Sequence, residues 1–248
     1  MARVAIVTGS SRGIGAATAI RLAKEGFNVC INYVSNEEAA SRVAEQARTH
    51  GVTAICVRAD VSKQTQVTHL FESTRTQLGV PSVLINNAGM VLPQTRVVDM
   101  TEDRINKVLT TNVTGYLLCA REAIACMSTV SGGSGGVIVN VSSAAARLGS
   151  PGEYIDYAAS KGAVDTLTIG LAREVATEGI RVNAVRPGLI YTDMHASAGE
   201  PARVDRLQDS IPMKRGGEAE EVAAAIAWLV SEESGYTTGA FIDVSGGR

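Results

Sequence analysis

The chain has 248 residues, a formal net charge of −2, 45% hydrophobic residues and 19% charged residues. These values are ordinary for a globular protein with one substantial core. No Lys/Arg stripe marks a nucleic-acid surface, and no apolar run is long enough for a membrane helix. Cys30, Cys56, Cys119 and Cys126 form no C-x-x-C pair, and His50, His69 and His195 show no ligand spacing. Free thiols in a reducing cytoplasm and no metal site are therefore expected. The first nine residues lack the longer apolar run and small-residue cleavage site of a signal peptide.

In chain order, Arg3–Val7 reads as a strand ended by Thr-Gly. Gly13–Glu25 reads as a helix whose apolar face is Ile14, Ala17, Ala19, Ile20 and Ala23, with Gly26 as its stop. Strand Asn28–Asn32, Ala-rich helix Glu37–His50, strand Thr53–Arg58, helix Lys63–Leu78 and strand Ser82–Asn86 follow. A long helix is expected from Thr101, a good cap, to about Met127. Ser128–Gly136 is a Ser/Gly-rich loop before strand Val137–Val141. Next come a helix over about 155–177, strand Ile180–Val185, the weakly periodic segment Ile190–Arg215, helix Glu218–Val230 and strand Ala240–Val244. Alternating strands and helices imply parallel strands joined by right-handed crossovers. The strands lack polar alternation, as expected where helices cover both faces. The expected fold is one α/β domain, a doubly wound Rossmann sheet of about seven strands.

Tyr157-Ala158-Ala159-Ser160-Lys161 places a phenol and an ammonium four residues apart, on one helix face. A cation there favours the phenolate, so the Tyr157 pKa is expected to fall below ~10 and to suit proton transfer near neutrality. The spacing alone is common on exposed helices. It gains weight from the turn Thr8-Gly9-Ser10-Ser11-Arg12-Gly13-Ile14-Gly15 between the first strand and first helix. Gly9 permits a tight turn, Gly13 admits a pyrophosphate, and Gly15 allows close helix–strand packing. The helix N-terminus offers N–H donors to phosphates.

Thr8–Gly15, Asn86-Asn87-Ala88-Gly89, Ser143, Tyr157-x-x-x-Lys161 and Pro187-Gly188 occur in the order found in the classical short-chain dehydrogenase/reductase family. Over its whole length the chain resembles that family, in a branch similar to sugar (glucose) dehydrogenases or 3-oxoacyl reductases. The resemblance implies a catalytic tetrad. Tyr157 is the general acid/base, Lys161 lowers its pKa and holds the nicotinamide ribose, Ser143 hydrogen-bonds the substrate oxygen, and Asn112 holds a water linking Lys161 to solvent. It also implies adenine contacts at Asp60 and Val61, a ribose side lined by Asn87, Ala88 and Gly89, and a nicotinamide end held by Pro187, Gly188, Ile190 and Thr192. Ser142 adjoins Ser143, but the family motif takes the second Ser. The Ser143–Tyr157 interval is one residue longer than usual, within Gly149–Asp156. Tyr154 is a decoy, since Ala158 and not Lys follows it by four.

Asn32, at the end of the second strand, is neutral and does not repel a 2′-phosphate, and Arg12 is placed to pair with one. NADP(H) is the preferred cofactor, with NAD(H) left open because Val34 is not basic and Glu37 and Glu38 lie nearby. The substrate pocket is expected from Met90–Thr95, Ala144–Tyr154 and Leu189–Arg215, the last a lid. Carrier-protein reductases of the family carry basic residues where this chain has uncharged Ser131–Gly136 and Glu178. A small carbonyl, sugar or polyol substrate is therefore preferred to an acyl carrier protein. The family commonly assembles as homotetramers or dimers through the long helix, the Tyr157 helix and the last strand. Small residues Ala120, Ala123 and Gly170 would permit that approach or face the core. A non-catalytic dinucleotide sensor is the rival reading, disfavoured because all four tetrad positions are present.

Overall fold

The computed structural model describes residues 3–248. Met1 and Ala2, part of the N-terminal stretch just read, lie outside the described residues. Seven parallel strands form one sheet: β1 (Val4–Val7), β2 (Asn28–Tyr33), β3 (Ala54–Arg58), β4 (Val83–Asn86), β5 (Gly136–Val141), β6 (Ile180–Pro187) and β7 (Phe241–Val244), in the order β3-β2-β1-β4-β5-β6-β7. Ile6 of β1 pairs with Cys30 on one side and Leu84 on the other. The strand order reverses between β1 and β4, where an open sheet leaves a crevice at the carboxyl ends of its strands.

Both faces are apolar because successive side chains point to opposite sides and both sides are covered. Ala5, Val7, Val29 and Ile31 pack under α1 (Gly13–Lys24), α2 (Glu37–Arg48) and the C-terminal helix Ala219–Val230. Ile6, Cys30, Leu84 and Ile138 face α3 (Gln64–Leu78) and the helices on the other side. All four cysteines are free thiols, and burial pushes Cys30 and Cys119 up to about 12. Among the described residues, no helix is long and apolar enough to cross a membrane, and no three metal-ligating side chains are grouped.

The long helix departs from expectation. Instead of one run there are α4 (Glu102–Leu109), a π-helical turn at Thr110–Thr114, and α5 (Gly115–Met127). One residue is accommodated without breaking the axis, which re-aims the side chains around it. Asn112, wholly buried, sits on that turn. Ala120 and Ala123 are buried in the core of this chain, so they are not available for a contact between subunits; Gly170 is exposed. After β5 come a short helix α6 (Ala145–Leu148) and the long α7 (Ile155–Glu174). The weakly periodic segment holds two short helices, α8 (Asp193–Ser197) and α9 (Arg203–Leu207). Its small apolar cluster of Leu189, Val204 and Ile211 is separate from the main core. Helix α10 (Ala219–Val230) then starts with a capping box between Glu218 and Glu221.

Candidate active site

The carboxyl ends of β1, β4, β5 and β6 converge on one cleft, and the glycine turn forms its floor. Gly9 has φ +60°, and a Cβ on it would lie 2.8 Å from Ala88 Cα. A Cβ on Gly15 would lie 2.4 Å from Asn87 Nδ2 and 2.7 Å from the Gly9 carbonyl. The turn thus closes only without side chains, and Asn87 holds it shut by donating to the carbonyls of Thr8 (2.8 Å) and Gly9 (3.1 Å). The Thr8 hydroxyl accepts from the backbone N–H groups of Asn87 and Ala88, locking β1 to β4. Helix α1 begins with no side-chain cap and no acidic residue in its first turn. Its N–H groups and positive end are left for an anion. Thr192, at the base of the 189–215 segment, packs over Gly13, and Gly188 and Ile190 lead to it from β6. The glycine turn, the β4 end at Asn87–Gly89 and Thr192 thus meet around the N-terminus of α1.

Three expected contacts read differently in the structure. Asn32 is buried; its Oδ1 accepts from Gly9 N–H at 3.0 Å and its Nδ2 donates to the Ala59 carbonyl at 2.8 Å. The position needs a group that both donates and accepts, which explains an amide and withdraws Asn32 as a ribose contact. Asp60 Oδ1 accepts from Ser62 N–H at 2.9 Å, a local turn, and Val61 is buried against Gly115. Arg12 is exposed and donates to the Ser197 hydroxyl of α8 at 3.3 Å. Glu37 and Glu38 sit in the first turn of α2, capped by Asn36, where their charge complements the helix end.

On the other side of the cleft, Lys161 is buried and donates to the Val141 carbonyl at 2.7 Å and to the Tyr116 hydroxyl at 3.2 Å. Tyr116 OH itself donates to Val141 O at 3.0 Å. The ammonium lies 5.7 Å from the Tyr157 ring centroid. Burial dominates both groups: it pushes the Lys161 ammonium down to about 7, opposed by Asp165, and raises the Tyr157 phenol, opposed by the Ser143 hydroxyl. The expected depressed Tyr157 pKa is thus corrected, because desolvation outweighs the Ser143 hydrogen bond, and the Lys161 donors are turned to Val141 and Tyr116. At neutral pH Tyr157 carries its proton.

The adjacent serines separate clearly. Ser142 is buried and donates to Asp165 Oδ1 at 2.6 Å. Ser143 is half-buried, its Oγ accepting from Ala145 N–H at 3.1 Å, which leaves its proton for the cleft. The Asn112 side chain is engaged at both ends: Oδ1 accepts from Met90 N–H (2.8 Å), and Nδ2 donates to the Met90 carbonyl and to Ser160 Oγ (3.0 Å each). It clamps the β4–α4 loop to α7. A Cβ on Gly89 would lie 3.5 Å from Asn112 Oδ1 and 3.7 Å from Lys161 Nζ. The end of β4 and the side chains of Asn112 and Lys161 thus meet at one glycine.

Sequence reasoning missed several supporting residues. Tyr116 lies one turn beyond Asn112, and Ser160 beside Lys161. Asp156, with its side chain only 2% exposed, accepts from Tyr157 N–H at 2.9 Å and pairs with Arg104 Nε of α4 at 2.8 Å. Arg104 also donates to the Pro93 carbonyl at 2.7 Å. The only sequence signal was an acidic residue in the first turn of α7. Replacing Asp156 by Ala leaves the Arg104 guanidinium partly buried without its counter-charge, with an expected loss of about 3 kcal/mol. Asp156→Asn, which still accepts from Tyr157 N–H, is expected to lose less. Urea unfolding of the two variants checks this; equal midpoints for Asp156→Ala and the parent chain would contradict it.

Residues 9–248 match a family model described as enoyl-(acyl carrier protein) reductase. The chain is 57% identical over 245 residues to the uncharacterized oxidoreductase YgfF of Escherichia coli K12, covering 99% of each. Among solved structures it superposes on a blue fluorescent protein from a metagenomic library in complex with NADPH, with TM-score 0.90 and 35% identity over 99% of this chain and 97% of the other. It also superposes on acetoin dehydrogenase YohF of Salmonella typhimurium, with TM-score 0.87 and 37% identity over 100% and 97%.

Proposed function

Because the chain belongs to the short-chain dehydrogenase/reductase family, we propose that it is an NADP(H)-preferring oxidoreductase interconverting a small carbonyl compound, sugar or polyol with its secondary alcohol. The observation that carries this reading is the meeting of Asn112, Lys161 and the ribose-side strand end at Gly89, one helical turn from Tyr157. The nicotinamide, when bound, supplies or accepts the hydride. The chain's own groups do the rest. Ser143 hydrogen-bonds the carbonyl oxygen, and Tyr157, which holds its proton at neutral pH, delivers it to that oxygen in the reductive direction. Lys161 stabilises the resulting phenolate and holds the nicotinamide ribose. Asn112 fixes Met90 and Ser160 on either side. Gly9, Gly13 and Gly15 with the α1 N-terminus hold the pyrophosphate, and Pro187, Gly188, Ile190 and Thr192 hold the nicotinamide end.

The cofactor preference rests on Arg12, now that the Asn32 amide has a structural explanation, and the NADPH complex of a 35% identical structure supports it. Arg12→Ala is expected to weaken NADPH binding at least 10-fold, the value of about one charge-assisted hydrogen bond, with NADH binding within about twofold. Fluorescence titration with both cofactors reads the ratio, and equal weakening of both would reassign Arg12 to the pyrophosphate. The alternative substrate, a 3-oxoacyl group on a carrier protein, fits 36% identical relatives named 3-oxoacyl-[acyl-carrier-protein] reductase. Against it, the Thr129–Gly136 surface has no charged residue, so nothing there pairs with an acidic carrier. The test is turnover of NADPH against a panel of carbonyls, sugars and acyl thioesters. Activity confined to carrier-bound thioesters would favour the alternative, and cofactor binding with no turnover would favour a sensor. A homo-oligomer is also proposed: Ile105, Leu109 and Leu117 of α4 and α5 are exposed on one side, an apolar stripe suited to a second copy.

A further inference from the structure

Three segments from distant parts of the chain are tied together beside Tyr157. Thr95 N–H of the β4–α4 loop bonds the Glu153 carbonyl at 3.0 Å. Gln94 Nε2 donates to Glu200 Oε2 at 2.6 Å. Arg203 of α9 is buried and bonds both Glu153 and Glu200, and Arg206 pairs with Glu200 as well. At this junction stands Tyr154, with only 6% of its surface exposed and the Arg203 guanidinium 5.0 Å from its ring centroid. Its hydroxyl is the single buried side-chain oxygen or nitrogen among the described residues with no hydrogen-bond partner in the protein. The Ala158 N–H bonds the Tyr154 carbonyl at 2.9 Å, so Tyr154 is the N-cap of α7. It stands three residues before Tyr157, and Tyr157 and Lys161 follow on one face of α7.

We propose that Tyr154 is a specificity-determining residue whose hydroxyl hydrogen-bonds a second, uncharged oxygen of the substrate, on a carbon one or two bonds from the reacting carbonyl. This rests on the small-carbonyl reading above and narrows it. If packing were the position's only role, Phe would serve without the cost of a buried unpaired hydroxyl. A phenol kept there both donates and accepts, so it suits a carbonyl, ester or hydroxyl oxygen. The neighbouring cation does not call for an anionic group, since Arg203 is already paired with two carboxylates. As the N-cap of α7, within one turn of Tyr157, Tyr154 stands on the order of 5–6 Å from it between Cβ atoms, a separation that suits a vicinal or β-oxygen.

The test compares the parent chain with Tyr154→Phe, using NADPH with pentane-2,3-dione, ethyl 3-oxobutanoate and hexan-2-one. The expected result is a roughly 10-fold fall in kcat/KM for the dione and the keto ester, with hexan-2-one within about twofold. Tm should be unchanged or raised by about 2–4 °C, because an unpaired buried hydroxyl has been removed. Equal losses on all three ketones, no loss on the oxygenated pair, or a lower Tm would overturn the proposal. No turnover of any ketone by the parent chain would instead overturn the small-carbonyl reading on which it rests.

Discussion

Tyr157→Phe is expected to lower kcat/KM for carbonyl reduction by about 10³, within the range for removing a positioned proton donor, while NADPH binding stays within about twofold. The phenylalanine ring keeps the packing of Tyr157 on α7 and loses only the hydroxyl. Neighbouring hydroxyls cannot substitute: Ser142 is committed to Asp165, and Tyr116 to Val141. Ser143 remains to polarise the oxygen, so the residual rate should be that of a bound, aligned and unprotonated carbonyl. Single-turnover hydride transfer with prebound NADPH separates this from a binding defect. A variant retaining more than about a tenth of the parent rate would remove Tyr157 from the acid role.

Lys161→Met is expected to abolish turnover by a similar factor and yet to leave the fold more stable near neutral pH. A buried ammonium is costly, and its pKa pushed down to about 7 states that cost. The unfolded chain binds this proton up to the ordinary lysine range and the folded chain only up to about 7. Between those limits the unfolded state holds more protons, so stability of the parent chain rises with pH. Below about 7 the penalty is complete, on the order of 5 kcal/mol. Methionine carries no charge and nearly the same length, and Val141 O keeps the Tyr116 hydroxyl as a donor. The variant should therefore gain most over the parent at pH 6–7 and lose that gain toward pH 10, read as urea midpoints across the series. A variant less stable than the parent at pH 6.5 would show that the lysine contributes more through its hydrogen bonds than it costs by burial. The expected outcome describes a residue held in place for function at the expense of stability.

The fold was legible because it is written in repetition. Each strand is an apolar run, and most helices are closed by a glycine or opened by a cap, so alternation gives the architecture. The order of motifs gives the cleft, since strand ends carry Thr8, Asn87, Ser143 and Pro187 to one edge. What the sequence hid was held by contacts between distant residues. Nothing local in Thr110–Thr114 signals a π turn; it accompanies the clamp of Asn112 on Met90 and Ser160. Asn32 reads as a cofactor-facing neutral residue until its partners at Gly9 and Ala59 are seen. The direction of the Tyr157 shift could not be taken from a four-residue spacing, because desolvation depends on everything packed around the pair. Arg104 and Asp156 are 52 positions apart, beyond any spacing rule.

The position of β1 has a consequence for synthesis. This strand lies inside the sheet, flanked by β2 and by β4, and Ala5 pairs with Val29 on one edge and Val83 on the other. The first edge can be satisfied early, but the second waits for a segment made much later. An emerging chain that has produced β1 through α3 can already form a three-stranded unit. Its inner border is then an unpaired, wholly apolar strand, which is the kind of edge that recruits strands from other chains. The crevice at the carboxyl ends of β1 and β4 is thus also the seam where the two halves join. Until residues 83–86 arrive to close it, the nascent chain exposes its most sheltered strand.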